Sequence, residues 1–102
     1  MEQSQIIDID RIKSILRNEK ANIHKKYKAE IQGIFGSYSR GEATGKSDID
    51  LLVRFEKGAS LFGWAGLVHE LEKKLGVSVD IVPEKSLKKE LCPNVSKDLI
   101  EI

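Results

Sequence analysis

The 102-residue sequence holds a single cysteine, Cys92, so no disulfide can close within the chain, and a reducing compartment is the natural setting. It has two prolines and no stretch rich in proline, glycine or serine, which leaves no linker and no domain boundary to place. No apolar run approaches the length needed to span a bilayer. The first ten residues carry neither a basic start nor the apolar centre of a secretory signal. Charge of one sign is not in excess either: seventeen basic and sixteen acidic side chains leave +1, which gives no broad pull toward DNA or a membrane surface. These absences lead us to expect one cytoplasmic domain over residues 1–102, with 40% hydrophobic and 32% charged residues, enough to bury a core. A chain this short has little to spare for a separate substrate domain, so acceptor specificity is expected to come from a partner chain or a homo- or hetero-oligomer mate.

What is present falls into alternating periodicities. Ile9, Ile12, Ile15, Leu16, Ile23 and Tyr27 recur at helical spacing and predict a helix over about residues 8–26, capped by Asp8 and interrupted in its apolar face around Asn18 to Lys20. Ile31 to Phe35 predicts a strand ending at Gly36-Ser37, followed by a short helical turn to Glu42 and a loop to Ser47. Asp48 to Phe55 alternates most clearly, with Ile49, Leu51, Val53 and Phe55 on one face and Asp48 and Asp50 on the other. Leu61 to Leu75 predicts an amphipathic helix burying Leu61, Trp64, Leu67, Val68, Leu71 and Leu75, with a Glu70–Lys74 pair and Gly76 as its stop. Gly63 and Gly66 weaken its first turns. Val77 to Val82 predicts a third strand ended by Pro83, and Ser86 to Leu91 and Asn94 to Ile100 are short helical candidates. This order makes an α/β or α+β domain: a small sheet with helices packed on it.

The chemistry concentrates in Gly36-Ser37-Tyr38-Ser39-Arg40-Gly41 and Ser47-Asp48-Ile49-Asp50-Leu51. Side chains at i and i+2 of a strand share a face with Cα atoms roughly 6.5 Å apart, so Asp48 and Asp50 can lean onto one or two cations. Two unpaired carboxylates repel, and hard oxygen ligands suit Mg²⁺, which takes one or two carboxylates plus phosphates and water. Gly36 lets the backbone turn sharply against a ligand, Ser37 offers a hydroxyl and nearby N–H groups to phosphate oxygens, and Arg40 can reach the same phosphates with a planar fork of donors. Asp80 stands on the face opposite Val77, Val79 and Ile81. If its strand neighbours the second, it joins Asp48 and Asp50 as ligand to a second metal or as base toward an acceptor hydroxyl.

Gly36-Ser37, ten residues, then Asp48-Ile49-Asp50 resembles the signature of the polymerase-β-like nucleotidyltransferase superfamily, and the run from Gly36 to Val53 resembles its minimal nucleotidyltransferase branch. Gly36, Ser37, Arg40, Gly41, Ser47, Asp48, Asp50 and Leu51 match that pattern, and Asp80 fits its later strand acid. The resemblance implies the polymerase-β-like nucleotidyltransferase fold, metal binding and catalysis by Asp48, Asp50 and Asp80, and nucleotide contacts from Gly36, Ser37, Arg40 and Ser47. It further implies Mg²⁺ as cofactor, ATP as co-substrate, and a HEPN-domain toxin as partner, on a tyrosine of which the antitoxin places AMP. Two rival functions share these residues: a binding module that neutralises its partner sterically, and a small-molecule nucleotidyltransferase needing a second domain or a dimer cleft.

Beside the functional readings stand plainer ones. Arg40 can make a surface ion pair with Glu42, Ser47 can simply close the turn before the strand, and Tyr38 can be a packing residue. His24 and His69 lack metal-ligand spacing, and Cys92 has no His or Cys partner in the sequence pattern. Phe62 and Trp64 cannot both face inward, so one of them can extend into a partner interface.

Overall fold

A computed structural model of the chain describes residues 8–45, 47–86 and 99–102. Helix α1 runs Ile9–Tyr27, strand β1 Ala29–Phe35, strand β2 Ile49–Phe55, helix α2 Leu61–Leu75 and strand β3 Val79–Pro83; a 3-10 turn follows at Glu84–Ser86, and a two-residue strand β4 at Ile100–Glu101. The Asp8 carboxylate caps α1 by accepting the Asp10 N–H, and Lys28 ends it in the left-handed region at φ 56°. Ser60 Oγ caps α2 by accepting the Gly63 N–H, and Gly76 closes it at φ 77°. The polar stretch around Asn18 to Lys20 does not interrupt α1. Glu19 faces α2, where its carboxylate meets Lys74 Nζ at 3.5 Å, so the apolar gap is a polar contact between helices.

The sheet order is β3-β2-β1-β4. β1 runs antiparallel to β2 and β4, while β2 and β3 are parallel and joined through α2, so the sheet is mixed. Ile49, Leu51 and Val53 of β2 are fully buried with Ile31 and Ile34 of β1, Ile12, Leu16 and Ile23 of α1, and Leu67 and Leu71 of α2. Each such side chain contributes roughly 1.5–3 kcal/mol when removed from water. The alternation that buries these β2 residues sends Asp50 and Arg54 to the other face.

Several sequence expectations are corrected. β1 begins two residues early because Ala29 pairs with Phe55 and is buried, and it carries a register shift between Ile31 and Gly33. β3 begins at Val79, not Val77, and takes in Pro83, which an edge strand tolerates. Ile100 lies in β4 and not in a helix; a two-residue strand is too short to show alternation, and Gly33 admits it, since a Cβ there would stand 2.5 Å from the Ile100 carbonyl oxygen. Ser86 sits in the 3-10 turn, and the remainder of both C-terminal helix candidates, with Cys92, lies outside the described residues.

In α2, Leu61 is 82% exposed and Phe62 92%, while Trp64 stacks on Phe55 with ring centroids 5.1 Å apart. The buried stripe therefore starts a turn later than its apolar pattern suggests. Glu70 reaches away from Lys74 to α1, accepting from Tyr27 Oη at 2.6 Å and Lys26 Nζ at 2.9 Å. Gly66 has a packing role: a Cβ there would lie 3.2 Å from Tyr27 Cε1, so the glycine makes the notch that receives that ring.

Candidate active site

The parallel pairing of β2 with β3 sets Asp50 directly opposite Asp80, and the antiparallel pairing of β1 with β2 sets Asp50 opposite Phe35, the residue before Gly36. Three elements therefore deliver their chemistry to one end of the sheet: the exit of β1, the entry of β2 and the entry of β3. Asp48 immediately precedes β2 and is exposed, as is Asp80; Asp50 is half-buried.

Gly36 adopts φ 81°, and a Cβ built on it would run into the Asp50 carboxylate. Both facts demand glycine, the first through backbone sterics and the second through space. Its carbonyl then collects three donors: the Ser39 N–H at 3.1 Å, the Arg40 N–H at 3.2 Å and the Ser39 hydroxyl at 2.8 Å. The Glu42 N–H donates to the Ser37 carbonyl at 2.9 Å, so the segment after Gly36 is a hydrogen-bonded run of turns, the short helical turn that the sequence predicts. Tyr38 hangs from this turn into the core, 5% exposed, and its hydroxyl is buried without a hydrogen-bond partner.

Arg40 Nε bonds Glu42 Oε1 at 2.9 Å, the plainer pairing weighed from sequence. Its positive charge also acts on Asp50. Ser47 closes the loop reciprocally, its N–H donating to the Thr44 carbonyl at 3.0 Å and its Oγ accepting the Thr44 N–H at 2.8 Å. Ser47 is thus a clasp of the loop leading into Asp48.

The electrostatics of the site centre on Asp50. Burial pushes its carboxyl up to about 6, the negative charges of Asp80 and Asp48 push in the same direction, and Arg40 partly opposes them. A carboxylate surrounded by like charges is the environment that a hard divalent cation relieves. Among the described residues, no group of three or more His, Cys, Asp or Glu side chains is arranged to hold a metal ion. The donor chemistry nevertheless fits such a cation: neighbouring strands lie about 4.8 Å apart, so rotations about the aspartate side-chain bonds span the remaining distance. Sequence reasoning missed two features, the Asp50 carboxylate nested against Gly36 and the Ser39 hydroxyl bracing the turn. Both depend on strand pairing, and nothing in the local pattern reports them.

The sequence matches the nucleotidyltransferase domain family over residues 9–102. It is 36% identical over 97 residues to the protein adenylyltransferase MntA of Thermococcus cleftensis, covering 95% of this chain and 98% of that protein. A solved structure provisionally assigned as a minimal nucleotidyltransferase superposes with a TM-score of 0.78 at 38% identity, covering 94% of this chain and 97% of the other. A toxin–antitoxin crystal structure with AMP-PNP superposes with a TM-score of 0.64 at 27% identity, over 82% of this chain and 69% of that one. With a glycine-turned loop set against strand carboxylates and a family match that spans both helices and the whole sheet, this chain belongs to the nucleotidyltransferase domain family.

Proposed function

We propose that the chain is a Mg²⁺-dependent protein adenylyltransferase that moves AMP from ATP to a hydroxyl of a partner protein, a tyrosine of a HEPN-domain toxin, and so acts as the antitoxin. The observation that carries this reading is the Asp50–Asp80 register beside Gly36, which sets acids from two strands against a turn suited to phosphate. The naming of its Thermococcus relative as a protein adenylyltransferase supports the acceptor class, and the AMP-PNP held by the toxin–antitoxin neighbour supports the nucleotide.

In this reading Gly36 and Ser37 let the triphosphate approach the turn, and Arg40 exchanges Glu42 for a phosphate oxygen. Asp48, Asp50 and Asp80 would hold Mg²⁺, which when bound supplies charge neutralisation of the triphosphate and of the departing pyrophosphate. The acceptor oxygen bonds to the α-phosphorus as the bond from that phosphorus to the bridging oxygen breaks, pyrophosphate leaves, and the hydroxyl proton passes to a carboxylate. Asp80 is on the exposed edge strand, open to an incoming acceptor, and is the candidate for that proton.

The test is incubation of the pure chain with ATP labelled in the α-phosphate, Mg²⁺ and the HEPN-domain protein. Label should enter the partner with wild type and fall at least about a hundredfold with Asp50→Asn. Equal labelling by that variant would remove Asp50 from the transfer chemistry, and neutralisation of the toxin without labelling would favour the steric binding module.

A further inference from the structure

The large hydrophobic side chains most exposed among the described residues sit side by side at the start of α2: Leu61 at 82% and Phe62 at 92%. One turn on along the same side, Ala65 is also exposed, followed by His69, so the outward face of the first turns carries no Lys, Arg, Asp or Glu. The last turn, by contrast, is basic, with Lys73 and Lys74. Adjacent exposed leucine and phenylalanine side chains make one contiguous apolar patch, and the largest such patch on a monomer is often functional.

Lys28 and Lys57 stand at the loop that leads from β2 into α2 and so border this patch. The Glu56 N–H donates to the Lys28 carbonyl at 2.8 Å, which ties the end of α1 to the loop before α2. Lys28 Nζ reaches over that loop, 2.8 Å from where a Cβ on Gly58 would stand. The nearby Glu56 carboxylate is engaged by His24 at 2.7 Å and keeps its negative charge, so two lysines against one carboxylate leave the rim with a net positive charge. β2 runs from Asp50 to Phe55 before this loop, so the patch lies on the order of 15–20 Å from the carboxylates, at the opposite end of the sheet.

We infer that Leu61 and Phe62, rimmed by Lys28 and Lys57, are an anchor for the protein acceptor, seating in an apolar pocket with an acidic border on that protein while its hydroxyl is presented at the other end of the sheet. The inference rests on the protein-adenylyltransferase reading and adds where the acceptor is gripped. Area decides against a second copy of this chain: the two side chains offer roughly 300 Å², against about 800 Å² per partner in a stable interface. A patch of that size works as a hot spot in an encounter that must also release its product. The positive rim selects an acidic border and speeds the encounter.

The experiment compares the Leu61→Ser/Phe62→Ser double variant and the Lys28→Glu/Lys57→Glu double variant with wild type. Two acceptors are used: the whole HEPN-domain protein, and a peptide of about ten residues around its labelled tyrosine. All four side chains are exposed, so folding is checked by the melting temperature. The anchor requires each double variant to raise KM for the whole protein by about tenfold or more. It also requires that kcat, and transfer to the peptide, stay within about twofold of wild type. Unchanged KM overturns it. Sedimentation showing a wild-type dimer that the serine variant dissolves would hand the patch to a second copy, and co-sedimentation of wild type alone with phosphatidylserine vesicles would hand it to lipid. Wild type that labels neither acceptor defeats the adenylyltransferase reading itself, an outcome distinct from loss confined to the variants.

Discussion

At Asp50 the proposed function and stability oppose each other. Its carboxyl binds a proton more readily when folded, near 6, than when unfolded, near 3.8. The folded state therefore holds more protons between those values, and stability falls as pH rises through that window. Asp50→Asn removes the conflict. In the absence of divalent cation the variant should melt higher than wild type at pH 7.5 and equal it at about pH 4, while losing transfer activity; a melting series across pH reads this directly. Gly36→Ala combines strain at φ 81° with a collision against that carboxylate, and should cost about 1–3 kcal/mol in denaturant titrations and at least about tenfold in transfer. Tyr38→Phe deletes a buried hydroxyl that has no partner, so its melting temperature should match or exceed that of wild type, with transfer retained.

At the scale of elements, the two helices are joined by a notch and a polar clasp. The ring of Tyr27 occupies the notch at Gly66, its hydroxyl donates to Glu70, and Lys26 joins the same carboxylate. Gly66→Leu should fill the notch, force the helices apart and lower stability by about 1–3 kcal/mol, as measured by urea unfolding. Tyr27→Phe should cost about 1 kcal/mol. α2 also guards the sheet: Glu72 Oε2 accepts the Val79 N–H at 2.9 Å, so the edge strand that carries Asp80 begins with a covered donor. The helix spans of both α1 and α2 were legible from apolar spacing and caps. The depth of each stripe was not: Leu61 fits the pattern yet stays exposed to solvent.

Across the whole molecule, a net charge of +1 is spread unevenly. Asp48, Asp50 and Asp80 gather with Arg40 where β2 and β3 begin, while Lys28 and Lys57 lie with Glu56 where β2 ends. Among the described residues no helix is long and apolar enough to cross a membrane. Charge also shapes the acid response. The Glu70 carboxyl is held below its ordinary range by hydrogen bonds from Tyr27 and Lys26, and Glu56 by His24. Depressed carboxyls stabilise above their unfolded values and lose that contribution as pH falls through the folded ones, below about 4.5. With Asp50 acting in the opposite direction between about 4 and 6, and the glutamate contributions nearly complete above their unfolded values, the cation-free chain should be most stable at about pH 4.5 and lose stability from there to about pH 6, which thermal melts on both sides of that value check.

Local information alone determined the two long helices, the alternation that turns Asp48 and Asp50 away from Ile49, Leu51 and Val53, and the glycine-serine turn that marks the family. Each rests on neighbours in sequence: helical and strand periods, a cap, a glycine where the backbone must turn. Tertiary structure decided what no local pattern carries. It set β3 beside β2 so that Asp80 stands opposite Asp50, pressed Gly36 against the Asp50 carboxylate, and spent Glu70 on Tyr27 in place of Lys74. Strand order and helix docking are settled by burial of distant apolar residues against each other, and a side chain's partner is fixed only once that burial has chosen its neighbours.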